Sequence, residues 1–114
     1  MLMRIAAILL ASFLFIAGCT VNSVTKADIE GVKAGSKITY RYEKEGKSWF
    51  YADKVTRVEG DTVYYNPSKM ESDSGKDTRI DDFDTTRELS IKLPELLKFE
   101  NEQGPEEKKI IWIQ

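Results

Sequence analysis

The chain of 114 residues contains no histidine and a single cysteine. Without imidazole there is no Ser-His-Asp triad, no histidine zinc site and no histidine acid–base step. One cysteine cannot form an internal disulfide, so the folded part must be held by its core alone. No glycine-rich phosphate loop is present. After Gly18 no segment sustains the 3.6-residue apolar period of an amphipathic helix, and there is no internal repeat. Basic residues do not outnumber acidic ones, with 17 Lys and Arg against 19 Asp and Glu. The basic face that nucleic acid calls for is therefore not expected. Apart from the lone thiol, carboxylates, lysines and tyrosines are the side chains left for catalysis.

What is present begins with an apolar run. Met1 to Arg4 carries one positive charge, and Ile5 to Gly18 is apolar except for Ser12. A short basic start, a brief apolar stretch and small residues at its end are the pattern of a secretory signal. The run is shorter than the roughly 20 residues that span a bilayer as a helix.

It ends in Ile16-Ala17-Gly18-Cys19, which resembles the lipobox of bacterial lipoproteins: a branched apolar residue, two small residues, then cysteine. The resemblance implies cleavage before Cys19, a lipid on the Cys19 thiol and acylation (palmitate or a similar chain) of the new amino terminus. Residue 20 is Thr rather than Asp. By the same resemblance this points to the outer membrane, facing the periplasm, in a cell with two membranes. Removing residues 1–18 takes Arg4 away and changes the net charge from −2 to −3, a mildly acidic surface.

Residues 19–35 read as a lipid-anchored linker, in which Ala27 to Glu30 has the makings of one helical turn before Gly31. Residues 36–114 read as a small β domain. Lys37 to Glu43 alternates apolar and polar residues, Glu45-Gly46-Lys47 supplies a turn, and Ser48 to Val58 is a long second strand. Val55 and Val58 stand three apart, which breaks the period of two and predicts a bulge or bend, expected near Asp53-Lys54. Glu59-Gly60-Asp61 is the clearest turn, and Thr62 to Asn66 returns as a third strand. Leu89, Ile91 and Leu93 predict a fourth strand closed by Pro94. Leu96 to Phe99 is ambiguous between helix and strand. Ile110 to Ile113 is apolar at every position, which predicts a last strand covered on both faces. The expected fold is mainly β: a small antiparallel sheet of five or six strands, or a partly open barrel of the SH3-like kind, after a cleaved signal helix.

Residues 67–87 form a long polar loop in which Ile80 and Phe83 are expected to pin the second half while 68–77 remains free. Its aspartates Asp81, Asp82 and Asp84 are candidate contacts to a partner. The loop lacks the alternating acids and closing glutamate of a calcium site, and no metal or cofactor is expected. Trp49, Tyr51 and Tyr64 lie on predicted strands, where outward aromatics can meet a partner. The expected function is that of a membrane-anchored envelope lipoprotein. Its β domain would bind an envelope protein or cell-wall partner, or support the envelope structurally, without catalysis. The alternatives are a carboxylate-based cell-wall hydrolase, and a module that captures a ligand or inhibits.

Overall fold

The computed structural model describes residues 24–100 and 108–114. The apolar run and Cys19 lie outside the described residues. Five strands form one antiparallel sheet: β1 (Lys37–Lys44), β2 (Lys47–Glu59), β3 (Thr62–Pro67), β4 (Leu89–Lys92) and β5 (Lys109–Ile113). Their order is β4-β3-β2-β1-β5. The first four strands are a meander, and β5 returns to the far edge beside β1. The sheet is open, with β4 and β5 outermost.

Two tight turns set the register. At the β1–β2 hairpin both Glu45 and Gly46 have positive φ, at 54° and 75°, the two-residue geometry whose twist matches that of paired strands. At the β2–β3 hairpin Gly60 has φ 61°. The bulge predicted from the spacing of Val55 and Val58 is present. It lies between Val55 and Arg57, slightly beyond the expected place. The inserted residue returns Val58 to the face of Val55, opposite Val63.

One face of the sheet carries the main core. Ile38 and Tyr40 of β1, Val55 of β2, Val63 of β3 and Ile110 of β5 are buried together with Ile29, Val32, Leu96 and Phe99. The last four come from two short helices, α1 (Lys26–Glu30) and α2 (Leu93–Leu97), and the residues after them. The two helices pack against each other as well as on the sheet. The ambiguous Leu96 segment is therefore helical. Pro94 starts that helix, as proline does readily in a first turn.

Residues expected to belong to a linker are part of the body. Thr25 and Asp28 form a capping box: the Thr25 hydroxyl accepts from the Asp28 amide at 3.2 Å, and the Thr25 amide donates to the Asp28 carboxylate at 2.8 Å. Ile29 is wholly buried. Beyond α1, the Gly35 amide donates to the Val55 carbonyl at 2.8 Å, and the Val55 amide donates to the Ser36 carbonyl at 2.7 Å. The folded body thus reaches back to Val24. Apolar points spaced as Ile29 and Val32 are too sparse to mark a helix by period, yet together they plug one end of the core.

The loop over residues 67–87 is tied to the sheet along its length. Phe50 and Ser72 exchange backbone hydrogen bonds at 2.7 and 2.9 Å, and the Ser68 amide donates to the Ala52 carbonyl at 2.8 Å. The Lys69 amide reaches Asp82 and the Asp84 amide reaches Pro67, each at 2.8 Å. A 3-10 turn, Thr78–Asp81, lies against β2, with Ile80 buried. Ile80 is an anchor as expected. The half expected to be free is not: Ser72 is buried and paired with β2. Its polar side chains hid this because backbone groups make the attachment.

Two outcomes are expected in chemical denaturation. Ile29→Ala removes a fully buried side chain that joins α1 to the sheet, and should cost about 2–4 kcal/mol of unfolding free energy. Gly60→Val meets no atom within 4 Å of its new Cβ, so its cost is confined to the backbone at about 1–3 kcal/mol. An unchanged urea midpoint in either variant contradicts the corresponding assignment.

Candidate functional site

Alternation along β2 places Tyr51, Asp53 and Val55 on the helix-covered face. Asp53 sits opposite Ile38 on β1 and Pro67 on β3. It is 4% exposed. Burial pushes its carboxyl up to about 7, against the pull of Lys108 and of a hydrogen bond from the Tyr40 hydroxyl. Tyr40, Tyr51 and Tyr65 are all raised above the usual phenol range, first by burial and then by the Asp53 charge. Tyr40 stacks on Tyr51 with ring centroids 4.9 Å apart and meets Phe99 edge-on at 6.0 Å. The Lys108 ammonium lies 4.5 Å from the Tyr40 ring, 4.9 Å from Tyr51 and 4.7 Å from Phe99. One buried acid, one lysine and a wall of aromatic rings thus make a compact polar centre within the core.

A carboxyl that titrates near neutrality has the proton affinity an acid–base catalyst needs. Sugar hydrolysis by carboxylates also needs a second acid facing the first across a cleft. The charged or hydrogen-bonding groups that act on Asp53 are Lys108 and Tyr40. The arrangement offsets a buried acid with an ammonium and a phenol, beside the stacked rings of the core. Sequence reasoning passed over Asp53. The signal was there in its period, since an acid two residues from Tyr51 and from Val55 must share their inward face.

The predicted contact residues do not form one surface. Trp49, opposite Tyr42, lies on the same face as Tyr51, half-buried near the hairpin with the Lys47 ammonium 4.8 Å from its ring. Tyr51 packs against the core. Tyr64 is on the other face, paired with Arg57 in the ladder and covered by its guanidinium at 3.8 Å. The three aspartates stay close in the loop, but each has a partner. Asp81 is ion-paired with Lys37. Asp82 lies 3.6 Å from the Lys69 ammonium. Asp84 accepts from the Thr86 hydroxyl at 2.6 Å and its amide at 3.1 Å, which holds its carboxyl below the usual range. Among the described residues, no group of three or more acids or cysteines is placed to hold a metal ion.

An open groove of about 850 Å³ lies at the β5 edge. Phe50, Ile111, Trp112 and Ile113 supply its apolar lining, with Val24 on one side and Gly75 and Lys76 on the other. Trp112 is 48% exposed, the most exposed large apolar side chain among the described residues. The last strand is therefore not covered on both faces as its composition predicts. It pairs with β1 on one side and forms the outer edge of the sheet. Comparison with family models, with curated proteins and with solved structures yields no match for this chain.

The buried acid has a consequence for pH. The folded protein holds the Asp53 proton more tightly than the unfolded chain does. The stability tied to this group is thus full below about pH 4 and is lost as pH rises towards 7. Between pH 5 and 8 the loss is about 2–3 kcal/mol, in a window where the chain has no histidine to titrate. Denaturation across that range should show this decline, and Asp53→Asn should flatten it. A wild-type profile that is flat between pH 5 and 8 contradicts a protonated Asp53 in the fold.

Proposed function

We propose that this protein is a membrane-anchored envelope lipoprotein whose small β domain binds a partner or supports the envelope structurally, without catalysis. The observation that carries the reading is the run Ile16-Ala17-Gly18-Cys19 after a short apolar stretch. A lone cysteine directly behind an export signal has a purpose that disulfide pairing cannot supply. The lipid on Cys19 is the proposed link to the membrane. Thr20 beside it favours the periplasmic face of the outer membrane in a two-membrane cell.

The geometry of the folded body is compatible with this reading. The loop aspartates are engaged with Lys37, Lys69 and Thr86, and Asp77 is gripped by Arg79 at 2.6 Å, well below the ordinary carboxylate range. Asp81 ties the loop to β1 through Lys37, and the other acids brace the loop internally. Partner contact through Asp82, which is exposed, and through the half-buried Trp49 remains part of the proposal.

The test is Cys19→Ala in cells fed a labelled fatty acid. The variant should accumulate as full-length precursor without label, while the native chain is shortened, labelled and recovered with membranes. One acyl chain alone holds a protein only marginally, and two or three hold it stably. A native protein that carries no label and washes off membranes at low salt overturns the proposal.

A further inference from the structure

We propose that the groove beside Trp112 rests on the membrane surface, its occupant being the headgroup and upper acyl layer of a phospholipid bilayer. This deepens the reading of Cys19 as a lipid anchor and rests on it.

The first argument is the length of the leash. Val24 lines the groove and stands five residues after Cys19. Fully extended, that span covers at most about 18 Å. The linker adds nothing further, because Ile29 is buried and Gly35 is bonded to Val55. A lipid inserted in the bilayer therefore keeps the Val24 end of the groove within about 18 Å of the anchor point.

The second argument is the composition of the edge. An outermost strand usually carries charges or proline to block pairing with other chains. β5 has one charge, Lys109 at its start, and presents Ile111, Trp112 and Ile113 in the groove, with Phe50 beside them. Indole has an apolar body and a polar N–H, a combination that favours the boundary between lipid and water.

The third argument is charge. Lys76 lines the groove, so a cation stands where lipid phosphates would be; the nearby Lys37 is engaged with Asp81. The two acids at the groove are engaged within the protein. Asp28 closes the α1 capping box, and Asp73 lies 3.4 Å from the Lys47 ammonium.

The chain has two tryptophans, and the test uses both. Trp112 lies opposite Thr39 in the register and Trp49 opposite Tyr42, so alternation puts them on opposite faces. The full mature protein is reconstituted into phosphatidylcholine vesicles whose acyl chains carry bromine near the headgroup, a contact quencher of indole emission. Trp49→Phe leaves Trp112 as the emitter, and Trp112→Phe leaves Trp49. Quenching should be several-fold stronger for Trp112 than for Trp49. The native chain should show two populations, one accessible and one not, which does not depend on either variant folding. Mass spectrometry of the same samples reads the lipid on Cys19. A lipidated protein in which neither tryptophan is quenched, or both equally, overturns the docking and leaves the anchor standing. A protein without lipid overturns both. Trp112 emission that shifts with protein concentration but ignores the brominated lipid assigns the groove to a second copy of the chain and overturns the proposal.

Discussion

The burial of one sheet face beneath two helices of five residues each is the interaction on which the rest of the structure depends. Helices of that length do not persist alone in water, because nucleation outweighs the few hydrogen bonds they make. They form here because Ile29 and Leu96 lose all exposure against Ile38, Val55, Val63 and Ile110. In turn the sheet has no disulfide to hold it and relies on that cover. Each layer is the condition of the other, and full burial of a branched side chain contributes about 1.5–3 kcal/mol.

The same dry layer explains the behaviour of its one inward acid. Asp53 lies among residues chosen for packing, and desolvation of its charge outweighs what Lys108 and Tyr40 return. A carboxyl with these neighbours orients side chains: the Tyr40 ring stacks on Tyr51, and Lys108 lies across both and Phe99. The cation contributes through the ring faces as well as through charge. The polar centre thus joins β1 and β2 to Lys108, just before β5, and to Phe99, just after α2.

The polar loop is attached to the sheet by backbone pairing. Residues 67–87 are polar, yet Ser72 continues the ladder with Phe50, and Phe83 bridges Ser68. Ile80 is the buried apolar contact that the arrangement needs. What stays open is the β5 edge, where an apolar strand and Trp112 meet solvent beside Val24.

Much of this was legible in the sequence. The period of two in β1 and β4, the turn glycines Gly46 and Gly60, and the odd spacing of Val55 and Val58 are local signals. They determined an antiparallel β domain with its meander and its bulge, because pleat and turn geometry act over a few residues. The run Ile16-Ala17-Gly18-Cys19, on which the proposed lipid anchor rests, is likewise a local signal, read by position next to an apolar stretch. Tertiary structure alone decided the rest. Ile29 and Val32 belong to the core because α1 docks, and no pattern in residues 19–35 encodes its distance from Leu96. The candidate aspartates acquired partners, Lys37 and Lys69, that are remote in sequence or hidden by the fold. The apolar run of β5 reads as a strand covered on both sides, but strand order made it an edge. Composition states how much apolar surface a segment carries, whereas which neighbour covers that surface depends on where the chain returns in space.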